Sequence, residues 1–506
     1  MVIDTIKLNE MSVFAEFFLG ISIMYLIIHG LFVSFNSNNN FPLIQSSIVN
    51  LGVLILLMSC FLLWNDSLNI VKYVSFCNTI VNDYLSFSAK IIIGVSSIIC
   101  LLLIKQYLIA QKINSFEYII ILLFAILGLF LLCSANDFIT TYLALELQSL
   151  SFYILAAFKK KSSYSVESGL KYFILGSFSS GLFLFGSSLI YGALGTVNFT
   201  EIKDLFIFND LTSSFSFLFL ETSDYVIIGL LFVFVSLFFK LALAPFHLWS
   251  PDIYENSPTS SSFFFAVVPK ISIFIVILRF SYYALFESLL WSQEVIAFVA
   301  IASIVVGSLG GLEQRKFKSL LAYSSISHMG YLLITFASES FEGFQMLFCY
   351  LIVYTGSGLC IWSVFMLTQL KKVDAKKQNK DLGDFTLLRK SNTMLAVILM
   401  TALFSIAGLP PMIGFVAKLN VFLIAVEKTM YFLAFFSMLF SVISTFFYLR
   451  IVKILYFEAV LVGKLYYPIS SLKVVTIVIL FYLFLFLFFN PQMLYLVSHK
   501  ISLLFV

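Results

Sequence analysis

Apolar runs of about twenty residues recur from one end of this chain to the other, separated by short polar stretches. At ~1.5 Å of rise per residue, such a run is a helix long enough to cross a hydrocarbon layer about 30 Å thick. Inside that layer each backbone N–H and C=O needs a partner within its own segment, which a helix supplies. The runs fall near residues 13–34, 47–65, 85–104, 117–135, 137–157, 167–193, 225–247, 259–282, 292–312, 318–337, 343–368, 393–425, 430–456 and 473–490. They are numbered spans one to fourteen below. The prediction is an all-α integral membrane protein with about 14 transmembrane helices.

Composition agrees: 61% of the 506 residues are hydrophobic and 11% charged, where a soluble domain carries about 25% charged residues. No room is left for a sizeable soluble domain. The net charge of +4 does not point to nucleic acid, because the basic residues lie in loops between the runs. Sixty Phe against nine Pro and four Trp hints at AT-rich coding and an organellar genome. Loops after odd-numbered spans carry Lys105 and Lys112, Lys159–Lys161, Arg315, Lys316 and Lys318, the run Lys371 to Lys380, and Arg450, Lys453 and Lys464. These are expected to face the matrix or cytoplasm, with both termini opposite.

Against this background, a few charges inside the runs stand out. Lys240 precedes Pro245, and Lys270 directly follows Pro269. A proline removes one helical hydrogen bond and strands the carbonyl four residues back: that of Leu241 for Pro245 and of Phe265 for Pro269. A lysine at membrane depth costs about 2.5–3.5 kcal/mol on insertion scales and commonly marks an ion or proton path. Span twelve is interrupted by Gly408-Leu409-Pro410-Pro411. Its two prolines strand the carbonyls of Ile406 and Ala407, and Lys418 follows about two turns later. Proline breaks paired with a lysine five spans apart suggest inverted repeats with discontinuous spans seven and twelve.

Glu146 sits near the middle of span five, about 15 Å from either interface, beyond the reach of a short side chain. It is expected to couple to Lys240, since desolvation and a nearby carboxylate act oppositely on a lysine's proton. The plainer alternatives are a Glu held by polar neighbours and a static buried ion pair. Lys270 and Lys418 read as further proton stations; Lys270 could instead reach the interface along its stem. His328, in Ser324-Ser-Ile-Ser-His-Met-Gly330, is a relay candidate or a hydrogen-bonded core histidine. Lys171, Arg279, Lys316 and Lys318 read as interfacial anchors. Asp252 and Glu255 are placed in a loop. The series Gly176, Ser180, Gly181 and Gly307, Gly310, Gly311 reads as close helix packing. No Walker loop, dinucleotide fingerprint or His/Cys ligand spacing occurs, and the six cysteines show no Cys-x-x-Cys pair. No cofactor or metal is expected in this chain.

Several stretches resemble one family. They are Lys240-Leu-Ala-Leu-Ala-Pro-Phe-His-Leu-Trp-Ser-Pro-Asp-Ile-Tyr-Glu255, Val268-Pro-Lys270, Tyr142-Leu-Ala-Leu-Glu-Leu-Gln-Ser-Leu150, Leu320-Leu-Ala-Tyr-Ser-Ser-Ile326 and Gly408-Leu-Pro-Pro-Met-Ile-Gly-Phe415. They are similar to the chain 2 family of antiporter-like membrane subunits of NADH:ubiquinone oxidoreductase (respiratory complex I), in its full-length non-animal form. Asn256 departs from the glycine usual in that family.

The resemblance implies inverted five-helix repeats at 117–282 and 283–456, flanked by N-terminal helices 1–116 and a C-terminal helix 457–506. It implies proton translocation through Glu146 and Lys240 as a coupled pair, Lys270 as a central relay and Lys418 on the outlet side, driven by quinone reduction elsewhere; His328 joins this set as a relay candidate on its own chemistry. Partners would be sibling membrane-arm subunits, small chains and lipids. NADH, FMN, iron–sulfur clusters and ubiquinone would belong to partner subunits. The location would be the mitochondrial inner membrane, or alternatively a bacterial plasma membrane. Rival readings are a cation/proton antiporter subunit and a structural spacer.

Overall fold

Each apolar run closes its backbone hydrogen bonds as a helix. The computed structural model describes residues 13–34, 45–66, 73–111, 113, 115–211, 216–284, 286–368, 381–386, 388–458 and 471–505. The chain start, Lys112, the basic run 371–380 and Lys464 lie outside the described residues. Spans one to six are the helices Phe14–Ser34, Gln45–Asp66, Tyr84–Ala110, Glu117–Ser134, Phe138–Ala156 and Ser163–Leu194. Span seven is split into Ser216–Leu241 and Trp249–Asn256. Span eight runs from Thr259–Val267 into Pro269–Leu278 and ends in a π-helical turn, Arg279–Ala284. Spans nine to eleven are Phe286–Leu312, Phe317–Ala337 and Phe341–Leu367; span twelve is Thr393–Ala407 plus Ile413–Glu427; span thirteen is Tyr431–Tyr456. Among the described residues, twelve helices are long and apolar enough to cross a membrane. The terminal pair Lys473–Phe489 and Gln492–Leu503, bent by 84°, makes a thirteenth. The broken span twelve completes the number read from the sequence.

Spans eight, ten and eleven are almost wholly enclosed by protein, whereas spans one, six and thirteen leave most of their apolar surface open. Charges on the enclosed spans therefore cannot face lipid. Span nine packs along span ten: a side chain at Gly307 would meet Ser327 and Tyr323, and one at Gly310 the Tyr323 ring. Gly176 likewise faces Tyr153, but Gly181 has open space beside it.

The two broken spans share one local design. In span seven, Leu243 donates to the Phe238 carbonyl and Ala242 to that of Phe239, each at 3.0 Å. In span twelve, Leu409 donates to Phe404 at 3.0 Å and Gly408 to Ser405 at 3.1 Å. Both are the six-to-one and five-to-two pattern that ends a helix with a left-handed residue. That residue is Ala242, with φ of 61°, in the first and Gly408, with φ of 79°, in the second. A proline follows three positions on in each case, Pro245 and Pro411, both after a cis peptide bond. Gly408 is doubly constrained, since an added Cβ would lie 2.7 Å from the Lys418 side chain. The lysines do not correspond: Lys240 precedes its break and Lys418 follows its own.

Three expectations are corrected. Asp252 and Glu255 lie on the helix Trp249–Asn256, not in a loop. Pro251 falls in its first turn, where the missing N–H costs nothing, and Asp252 complements the helix dipole there. Arg279 and Lys318 are not interfacial anchors. Arg279 is 3% exposed and donates to both Asp83 carboxylate oxygens at 2.9 Å. Lys318, 4% exposed, donates to the Ser257 carbonyl at 2.8 Å. Lys316 pairs with Glu255, and Lys171 pairs with Glu167 and Asp252. The short segment after the first break is thus held by lysines from spans six and ten. A small hairpin, Tyr73–Ser75 against Ile80–Asn82, covers one end of the bundle.

Candidate functional site

The break in span seven and the proline in span eight open one internal cavity of about 20 Å³, lined by Lys240 and Lys270 together with Gln148, Ser149, Trp249 and Tyr254. A polar space of that size holds one or two waters. The buried Lys240 Nζ and the Gln148 Oε1 on its wall have no hydrogen-bond partner among the described residues. Lys240 instead lies 5.9 Å from the centre of the Tyr153 ring. The Phe265 carbonyl, stranded by Pro269, accepts from the Tyr254 hydroxyl at 3.3 Å.

A second cavity, of about 10 Å³, is lined by His328, Tyr350, Tyr354, Ser405 and Lys418, among others. Lys418 Nζ donates to the Ala407 carbonyl at 2.9 Å and lies 5.2 Å from the Tyr331 ring centre. His328 is 3% exposed; its Nδ1 meets the Tyr350 hydroxyl at 2.7 Å and its Nε2 the Tyr448 hydroxyl at 3.2 Å. With two hydroxyl neighbours, the ring can accept at one nitrogen and donate at the other. Lys270 joins the two spaces. Its Nζ donates to the Tyr354 hydroxyl at 2.7 Å and sits 4.9 Å from that ring's centre. Each of the three lysines thus rests on one tyrosine face, a contact that reaches about 2 kcal/mol when desolvated.

Glu146 stands apart from both cavities. It is half-buried and shares its face of span five with the exposed Ile139, Leu143, Leu150 and Ile154. No ion pair joins it to Lys240. Ser149 is the link: it lines the first cavity and its hydroxyl donates to Glu146 Oε2 at 3.4 Å. Just before the same helix, Asp137 is 6% exposed. Burial, and then the negative charge of Glu201, push its carboxyl up to about 6.

Sequence reasoning passed over the tyrosines that surround the lysines and His328. With 25 Tyr in the chain, no single one stands out. It also passed over a buried ion pair between Lys90 and Glu16, in which Lys90 further donates to Asn82 at 2.6 Å. Two charged residues in two apolar runs were the available signal. Among the described residues, no three His, Cys, Asp or Glu side chains gather as a metal site.

Residues 135–444 match the family described as NADH:quinone oxidoreductase/Mrp antiporter, transmembrane. NADH-ubiquinone oxidoreductase chain 2 of Marchantia polymorpha is 37% identical over 493 residues, covering 97% of this chain and 98% of that one. NADH-quinone oxidoreductase subunit N of Pelagibacter ubique is 38% identical over 452 residues, 89% of this chain and 90% of its own. The fold matches a chain of respiratory complex I from Thermus thermophilus, with a TM-score of 0.77, 24% identity, and 95% and 98% of the two chains covered. It also matches a chain of the Mrp complex from Dietzia, with a TM-score of 0.81, 17% identity, and 97% of each chain covered. Matched over more than half its length by the family model and over nearly all of it by chain 2 and subunit N relatives, the chain belongs to the NADH:quinone oxidoreductase/Mrp antiporter membrane-subunit family.

Proposed function

We propose that this chain is a proton-translocating membrane-arm subunit of NADH:quinone oxidoreductase. It moves protons through Glu146, Lys240, Lys270, His328 and Lys418 while quinone is reduced elsewhere in the complex. The observation that carries this reading is convergence. Four ionisable groups, spread over 178 residues of sequence from Lys240 to Lys418, line two internal cavities that meet at one lysine. A charge retained in hydrocarbon is costly, and a pathway is its usual reason. The chain itself needs no redox group; flavin, iron–sulfur clusters and the quinone site belong to partner subunits. Chain 2 likeness over almost the full length favours the mitochondrial inner membrane, with the bacterial plasma membrane as the alternative.

The half-buried Glu146 adds a point about partners. A mid-span carboxylate on an outward face needs protein or water beside it. That face of span five is therefore where a sibling membrane-arm subunit packs. The shared break design of spans seven and twelve supports treating 117–282 and 283–456 as inverted repeats, with 1–116 and 457–506 as flanking helices.

The test is proton transfer per electron in the intact complex reconstituted in sealed vesicles. Lys240→Ala is expected to lower it while assembly persists; an undiminished ratio rejects the relay. The fold-level likeness to an Mrp chain supports a second reading, a cation/proton antiporter subunit. Co-purification with flavin-containing subunits selects the first reading, and its absence the second.

A further inference from the structure

We infer that the Tyr354 hydroxyl carries the proton between the two cavities, which makes Tyr354 a catalytic residue of the relay. This inference rests on the proton-carrying reading above. Among the described residues, no side chain lines both cavities. Lys270 lines the first and Tyr354 the second, and the two touch through a 2.7 Å hydrogen bond. Tyr354 is 7% exposed and projects from span eleven, which protein encloses.

The hydroxyl has the two capacities that the step needs. It accepts from Lys270, and its own proton rests on the Ala266 carbonyl at 3.3 Å, a longer and weaker bond. A phenolic hydroxyl both donates and accepts, and its O–H turns about the C–O bond over a modest barrier, so the proton can swing from Ala266 toward the second cavity. There it faces the cavity lined by His328 and Lys418. In the transfer, a Lys270 N–H bond breaks and a Tyr354 O–H bond forms. The original Tyr354 O–H bond breaks, and its proton passes through cavity water to a neutral Lys418 amine. Lys270 ends neutral, Lys418 ends charged, and Tyr354 returns to a neutral phenol. Rotation back to Ala266 resets the hydroxyl. The ring below serves a separate purpose, holding the Lys270 ammonium at 4.9 Å.

Tyr354→Phe separates these roles, because it keeps the ring and removes the hydroxyl. The measurement is protons translocated per NADH oxidised by the intact complex in sealed vesicles, with Lys270→Ala alongside. The expected result is an assembled complex in which Tyr354→Phe loses as much proton yield as Lys270→Ala. The hydrogen/deuterium solvent isotope effect of its residual transfer is expected to differ from the parent's, which a merely structural hydroxyl would not alter. If Lys270→Ala lowers the yield and Tyr354→Phe does not, the inference is overturned and the relay stands. If neither lowers it, both fall. Should Tyr354→Phe fail to assemble, difluorotyrosine at position 354 changes the acidity of the phenol with little change of shape. A changed transfer rate is then expected, and an unchanged one overturns the inference.

Discussion

Lys418 reaches back across the break in span twelve to hold the carbonyl of Ala407, 2.9 Å from its Nζ. Pro411, four residues beyond Ala407, has no N–H to give that carbonyl. The lysine is thus both a station on the proposed path and the partner of a stranded backbone acceptor. Lys418→Met removes both. An unpaired buried acceptor costs about 1–3 kcal/mol, so the complex is expected to unfold at a lower temperature, along with loss of proton transfer. Full stability in this variant would show that the Ala407 bond is immaterial.

Lys240 offers the contrast. Its ammonium makes no hydrogen bond among the described residues, so Lys240→Ala strands nothing. Removing a buried charge without a hydrogen-bonded partner also removes a desolvation cost. The relieved desolvation cost offsets the lost contact with the Tyr153 ring, so stability is expected to hold while proton transfer is lost. A stability loss like that of Lys418→Met would mean that Lys240 is a structural tie.

Arg279 and Asp83 test the scaffold. Arg279 is buried and Asp83 13% exposed; removing the carboxylate or the guanidinium leaves a largely enclosed charge unpaired, at a cost approaching about 3 kcal/mol. Arg279→Ala is expected to fail in assembly, read on native gels. A double apolar replacement of both residues should be milder than either single one. Lys171→Ala, which breaks pairs whose side chains are about half exposed, should leave stability nearly unchanged, because solvent screens such pairs.

Asp137 gives a pH signature. Its carboxyl is pushed up from 3.8 to about 6 by burial and then by Glu201. Between those values the folded chain holds a proton that the unfolded chain has released. Stability therefore falls as pH rises from about 4 to about 6 and stays lower above that. Asp137→Asn is expected to unfold at a higher temperature than the parent at a pH of about 8, and at the same temperature near pH 4. Equal gaps at both pH values would exclude the carboxyl as the cause.

Much of the fold was legible because a membrane imposes a long apolar period with few alternatives. The breaks were legible too, since Pro245, Pro410 and Pro411 cannot sit in an unbroken helix. The helix Trp249–Asn256 was misread as loop because its polar residues, Asp252 and Glu255, are satisfied by Lys171 and Lys316 from distant spans. Arg279 and Lys318 were misread for the same reason: proximity to a span end in sequence says nothing about enclosure by other helices.

The sequence by itself determined which segments cross the membrane, where two of them break, and which costly charges lie at depth. It did so because transfer free energy and proline chemistry are properties of single residues and their near neighbours. The tertiary structure alone decided that Lys240 and Lys270 share a cavity, that Glu146 faces outward, and that tyrosines from three other spans complete the line. Those facts depend on how helices far apart in the chain pack against each other, which no local pattern encodes.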